Sequence, residues 1–191
     1  NDYHREVGNL EGVALNLSLI GWWHLNKSGW LLSKERKCKN ALDAKLRSLE
    51  LYRKLGDSSN VANQYSSIGL IQKLHLGESE NALENYINAV KLYIELNDST
   101  EIAKEAKYAG EIFIDLGDYK SAAYYLNLSI SHENEAKELV ETMGWLSMSY
   151  IGNGNIDNGI EIAERAYKIC DENNLYGESA MLSTILGLPM L

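Results

Sequence analysis

Proline occurs once in the 191 residues, at Pro189, so nearly the whole chain lacks the residue that interrupts helices. Cysteine occurs twice, as Cys38 and Cys170, too few for a disulfide framework and more in keeping with an intracellular, cytoplasmic setting. Basic residues are outnumbered, 18 against 27 acidic, and the net charge of −9 excludes the basic stripe that a nucleic-acid binder needs. The same balance argues against docking on an anionic membrane surface. No apolar run approaches the ~20 residues of a membrane span, and no signal peptide is visible.

What is present is self-similarity. Glu6–Ala14 can be laid over Lys54–Ala62 at an offset of 48 residues, and Ser18/Ser66, Ile20/Ile68, Gly21/Gly69 and Gly29/Gly77 keep the same offset. A second register, 41 residues on, sets Leu55-Gly56-Asp57 over Leu96-Asn97-Asp98, and Ala62 and Gly69 over Ala103 and Gly110. A period near forty with helical spacing inside it predicts an all-α array of stacked units.

The apolar periodicity predicts paired helices. First helices fall at about 11–28, 59–75, 99–115, 135–151 and 176–187, and second helices at about 37–55, 79–96, 119–132 and 157–172. Each first helix reaches a small residue, Gly21, Gly69, Gly110, Ser147 or Gly187, where a neighbour can approach closely. Turn glycines follow at Gly29, Gly77, Gly117 and Gly154, and Asp98 with Glu101 has the spacing of a helix N-cap. The units are repeats at about 10–56, 57–97, 98–134 and 135–174, with partial units at 1–9 and 175–191. Because that register runs off both ends with no polar cap, the chain reads as a window of a longer array. Leu182, Leu186 and Leu188 should then expose an apolar face and permit weak self-association.

The run Leu116-Gly117-Asp118-Tyr119-Lys120-Ser121-Ala122 resembles the turn of a tetratricopeptide repeat (TPR), and Gly77, Ala82, Tyr86 and Ala89 stand at signature phases of that family's turn and second helix. The period is similar to the longer variant found in bacterial signalling and kinesin light chain-like proteins. The resemblance implies a helical-hairpin solenoid, wound as a right-handed superhelix. Departures are visible. The family's helix-ending proline is missing, and Gly159 replaces the usual alanine, a change expected to weaken its helix by about 1 kcal/mol. The connector before repeat four is about three residues short. Repeat one carries some seven extra residues near Trp30–Lys39, a basic segment expected to be a solvated loop with Cys38 exposed in it.

Catalytic and metal chemistry find little support in the residues. Asn153-Gly154-Asn155-Ile156-Asp157 with Glu164 imitates a calcium loop, but its first ligand is Asn and Asn158 stands where the sharp turn wants glycine. The four histidines are scattered, with no paired spacing, and no phosphate-cradling loop or nucleophile elbow occurs. The expectation is a non-catalytic chain with neither metal nor cofactor.

In the family the concave groove is lined by first helices, and the resemblance carries over onto definite positions. Trp22 and Leu25 belong to repeat one, with Leu15 and Ser18; Asn63, Ser66, Leu70 and Lys73 to repeat two; Lys104, Lys107 and Glu111 to repeat three; Met148 and Ile151 to repeat four. Apolar residues mixed with a few Lys and Asn suit a protein or peptide segment, with Lys73 and Lys104 orienting its acidic groups. The Lys and Asn pattern by which chaperone-binding members grip a terminal carboxylate is not matched. The alternative function is the sensor region of a larger signalling protein, such as a kinase, cyclase or transcription regulator.

Overall fold

The computed structural model describes residues 10–20, 34–175, 177 and 179–187, and among them all regular structure is helical. The chain divides into two compact units, Asn1–Asn97 and Asp98–Leu191. Trp22, Leu25, Gly21, Gly29 and Leu188 lie outside the described residues.

In the first unit, helix α1 (residues 10–20) is followed by α2 (Lys34–Leu55), α3 (Ser58–Ile71) with a π-helical turn at Gln72–Leu76, and α4 (Ser79–Leu96). Helix α2 buries Ala41, Ser48, Leu49 and Tyr52, a spacing that forms one apolar stripe. Ser48 Oγ on that stripe donates to the Ala14 carbonyl at 2.8 Å, tying α1 to α2. Gly56 ends α2 with φ of 71°, and the Asp57 carboxylate accepts the Asn60 amide at 3.0 Å to start α3. Such an N-cap contributes about 1 kcal/mol.

The π turn has a sequence cause. Between Gly69 and Gly77 lies one residue more than between Gly110 and Gly117 or Ser147 and Gly154. The extra residue is taken up by i→i+5 bonding, and Gly77, in the left-handed region, closes the turn by donating to the Gln72 carbonyl. Beneath it, Gln72 Oε1 accepts from Asn85 at 2.8 Å and Gln72 Nε2 donates to Glu78 at 3.4 Å, so the nearly buried amide is satisfied.

The second unit runs α5 (Ser99–Asp115), α6 (Tyr119–His132), α7 (Ala136–Gly152), α8 (Ile156–Asn173) and α9 (Ser179–Leu186). Asp98 and Asp118 cap α5 and α6 by accepting the amides of Glu101 and Ser121 at 3.2 and 3.1 Å. The helices pair as hairpins, α3 with α4, α5 with α6 and α7 with α8. The candidate calcium loop is the turn joining α7 to α8, with Gly154 at φ of 82°.

Three expectations need correction. Cys38 is buried against Ala41 and Ile71, because residues 34–39 of the expected basic loop are the first turns of α2 and turn the thiol inward. Leu182 is fully buried among Val140, Met143, Ala163, Ala166 and Cys170, and Leu186 packs at that cluster's edge, so α9 covers the end of the α7–α8 hairpin. Its Met181 methyl occupies the space beside Gly144 where a Cβ would stand.

The third correction concerns Gly159. A Cβ there would lie 2.5 Å from Ile151 Cγ1 and 3.0 Å from the Ser147 carbonyl oxygen, so glycine is what lets α8 approach α7. Ser147 Oγ uses that approach to donate to the Gly159 carbonyl at 2.7 Å. Gly159→Ala should gain the ~1 kcal/mol of helix propensity yet lose net stability by about 1 kcal/mol, through crowding against fixed backbone. Gly12→Ala is the control: nothing stands within 4 Å of its Cβ, so it should stabilise slightly. Urea melts of the two variants check the opposite signs.

Lys45 is a second oddity of the interior. It stands one turn after Ala41, where the following repeats place Tyr86 after Ala82 and Leu126 after Ala122, both fully buried. Only 8% of Lys45 is exposed, and its ammonium donates to the Ser18 hydroxyl at 3.0 Å rather than to a carboxylate. Burial pushes its pKa below the ordinary lysine value. The folded chain therefore binds this proton less tightly than the unfolded chain, a penalty present in full at neutral pH and relieved as pH rises toward the ordinary lysine range. Lys45→Met should raise the urea midpoint at pH 7 by an amount that shrinks toward pH 10, equivalent to about 1 kcal/mol at neutrality. An unchanged or lowered midpoint would show that the ammonium is compensated.

Candidate functional site

The first helices carry the candidate residues, and each unit presents its own set. In the first unit, Asn63 on α3 is exposed and its Oδ1 accepts from the Tyr93 hydroxyl at 2.8 Å, a bond that reaches across the hairpin from α4. That bond fixes the amide's orientation, leaving its NH2 directed by the phenol. Ser66 is half-buried one turn on, Leu70 is 40% exposed, and Lys73 lies half-buried in the π turn. Leu74, 59% exposed, joins Leu70 four residues on and was not singled out from the sequence. Its signal was available: the extra residue between Gly69 and Gly77 shifts the helical phase locally.

In the second unit the polar residues are bound to one another. Lys104 pairs with Glu101 at 2.5 Å and with Glu105 at 3.4 Å along α5. Lys107 is 8% exposed and bridges α5 to α7, bonding Glu138 and, at 3.0 Å, Glu141. Burial acts to lower both lysine pKa values, but the hydrogen bonds and charges of these glutamates outweigh it and hold both above the ordinary value. Sequence spacing alone did not disclose this bridge, because Glu138 and Glu141 lie on another helix some thirty residues away.

Four glutamates, Glu101, Glu105, Glu138 and Glu141, thus engage the two amines of Lys104 and Lys107, and Glu105 is completely buried. Met148 and Ile151 on α7 are half-buried, and the Ile151 side chain packs toward Gly159 of α8. Of the expected site residues the structure thus brings Asn63, Ser66, Leu70 and Lys73 together on α3 and its π turn. It places Lys104, Lys107, Glu111, Met148 and Ile151 on α5 and α7. Among the described residues no group of His, Cys, Asp and Glu is arranged to hold a metal. No described helix is long and apolar enough to cross a membrane.

The family model for the tetratricopeptide repeat matches residues 140–173, the α7–α8 hairpin. No curated protein matches the sequence. Among solved structures, the apo form of RapI is similar with a TM-score of 0.74 at 17% identity, over 92% of this chain and 62% of RapI. A putative kinesin light chain of Podosopora anserina with nearly identical TPR-like repeats gives 0.70 at 11% identity, over 93% of this chain and 87% of that one. A signal-transduction ATPase with numerous domains from Pyrococcus horikoshii, which has a tetratricopeptide repeat sensor, gives 0.66 at 20% identity, over 80% of this chain and 25% of that one. The chain thus spans less than two thirds of RapI and a quarter of the ATPase. The hairpins and these shared folds give the described residues a TPR-like helical-hairpin fold, and residues 140–173 match the tetratricopeptide-repeat family.

Proposed function

We propose that the chain is a non-catalytic scaffold that binds a protein or peptide segment along its first helices. One observation carries this reading: Leu70 and Leu74 stay exposed on α3 and its π turn, two and three turns after the Asn63 amide oriented by Tyr93, where a solvated face would be polar. An apolar pair flanked by fixed hydrogen-bonding groups suits an amphipathic helix or extended peptide. Trp22 and Leu25 share the helical phase of Leu70 and Lys73 in sequence and belong to the same proposal.

The charge of the preferred segment follows from the second unit. Lys104 and Lys107 are engaged by glutamates of the chain itself, so the charge in excess around them is carboxylate. A segment with apolar residues at helical spacing and lysine or arginine beside them fits this better than an acidic one. Selection from a displayed random-peptide library tests both points. Enriched peptides should be apolar and basic, and Leu70→Asp should weaken them about tenfold or more while leaving the helical circular dichroism intact. Changing Arg36 and Lys37 on α2 should have little effect. A selection in which no enriched peptide is weakened by Leu70→Asp, or in which the peptides so weakened are acidic, would refute the assignment.

A second reading is that the array serves as the sensor region of a larger signalling protein. The likeness to one quarter of the Pyrococcus ATPase favours it. The reading frame on either side decides: a kinase, cyclase, nucleotide-binding or helix-turn-helix module supports this reading, and further repeats ending in a polar cap count against it.

A further inference from the structure

The two units repeat the same packing problem and solve it differently. Counted from the small residues Gly69 and Ser147, Val61, Tyr65 and Ile68 of α3 correspond to Leu139, Met143 and Leu146 of α7. Counted from Ala41 and Ala122, which open the buried stripes of the two second helices, Leu49 and Tyr52 of α2 correspond to Ile130 and Glu133; counted from Ala89 and Ala166, Leu92 of α4 corresponds to Ile169 of α8. In the first unit these residues form a closed cluster: Tyr52, 3% exposed, sits with Leu49, Val61 and Ile68, and Leu55, Tyr65 and Leu92 pack around it.

Helix α2 can do this because it runs one turn further than α6. It continues through Tyr52, Arg53, Lys54 and Leu55, whereas α6 stops at His132 and the chain turns extended at Glu133, with ψ of 133°. The short connector before repeat four is that missing turn. Where Tyr52 would plug the packing, the second unit has a cavity of about 320 Å³ walled by Ile130, Leu139, Met143, Leu146, Ile162 and Ile169. Glu133 at its edge is no substitute, since its carboxylate accepts the amides of Asn134 and Glu135, each at 2.8 Å.

The remaining polar groups at the cavity are Asn127 and Arg165. Asn127 Nδ2 donates to the Ala123 carbonyl at 2.8 Å, which leaves its Oδ1 directed away as an acceptor. Arg165 makes no hydrogen bond or ion pair among the described residues, and its position in the first unit is held by the neutral Asn88. An unpaired guanidinium beside an apolar cavity is complementary to a carboxylate attached to an apolar group.

We propose that this cavity receives an aromatic side chain from a helical turn of a protein partner, with a neighbouring carboxylate of that partner paired to Arg165. The first unit supplies the template for the occupant, since the ring it places there is its own Tyr52. The volume suits one ring with its flanking methylenes, being about twice that of a cavity that holds benzene. The cavity lies among α6, α7 and α8 and is lined by none of the candidate residues above, so either site can fail without the other.

The test uses the full chain with methyl-labelled methionine, Met143 being the reporter in the cavity wall. The probes are 3-(4-hydroxyphenyl)propionate and an alanine-based helical peptide carrying one Tyr with Glu four residues on. The small acid should shift the Met143 methyl with millimolar affinity, and the peptide should bind about tenfold more tightly and lose this with Tyr→Ala. Arg165→Gln should weaken both probes about fivefold or more without changing the fold. Ile162→Trp fills the cavity and should abolish both, with Ile130→Phe as the second filling variant if the first unfolds. No shift of Met143, or a shift indifferent to Arg165→Gln, overturns the site. Saturation by the small acid with no binding of the peptide overturns the partner reading in favour of a small ligand. A dimer in sedimentation that the filling variants dissolve assigns the cavity to a second copy and overturns it likewise.

Discussion

Leu126→Ala should cost about 2–5 kcal/mol of folding stability, among the largest effects expected of any single truncation here. Leu126 is fully buried on α6, and its Cγ lies 2.6 Å from where a Cβ on Gly110 would stand. The side chain therefore fills the hollow that the glycine leaves on α5. Gly110→Ala alone should cost about 1–3 kcal/mol by overpacking the same spot. The two changes together should cost less than their sum, because the added methyl enters space that the truncation vacates. The chain already contains the swapped solution: at the corresponding positions of the next hairpin stand Ser147 and Ala163, both completely buried. Urea melts of the two singles and the double give the coupling energy. A strictly additive double would mean that α5 and α6 relax independently, and the size-matching of first and second helices would be wrong.

That pairing of small and large residues is also why so much of the fold was legible in the sequence. Gly69 before Tyr86 and Gly110 before Leu126 mark a close crossing twice in one register, and the turn glycines at positive φ fix where each hairpin reverses. The spans of α4, α5 and α6 follow from those marks without adjustment. The errors arose where one repeat departs from the others. Gly159 reads as a poor helix former when it is judged by propensity alone, since the cost of a methyl against the Ser147 carbonyl belongs to tertiary packing. Cys38 reads as exposed because its neighbours are basic, although the stripe from Cys38 to Ala41 and Lys45 faces inward. Leu182 reads as orphaned when a first helix is taken to need its second; in fact α9 satisfies itself on the preceding hairpin. The candidate site was legible as positions on helices but not in its charge. The glutamates that claim Lys104 and Lys107 lie partly on the same helix and partly on the next repeat, and only the fold brings Glu138 and Glu141 to one amine.

Lys107→Met should destabilise the second unit by about 1–3 kcal/mol, through the carboxylates it leaves behind more than through the amine it removes. Glu138 and Glu141 lie one turn apart on α7, and Lys107 is the cation to which both are bonded. Both glutamates are 42% exposed, so water screens part of the repulsion and holds the cost below that of breaking a fully buried pair. The pH dependence has a definite sign. The folded chain holds the Lys107 proton more tightly than the unfolded chain does, because its bonds to the glutamates outweigh burial. Its contribution is therefore present in full below the ordinary lysine pKa and is lost as pH climbs through the raised folded value. The difference in urea midpoint between Lys107→Met and the parent chain should hold steady from neutrality to mildly alkaline pH, then close in the strongly alkaline range. Added salt should narrow it at neutral pH, since the glutamates left behind repel through partly exposed space. The triple variant Lys107→Met with Glu138→Gln and Glu141→Gln should recover most of the lost stability. If it does not, the amine's stem packing between α5 and α7 is what matters, and the ion-pair bridge is incidental to how these two first helices are held.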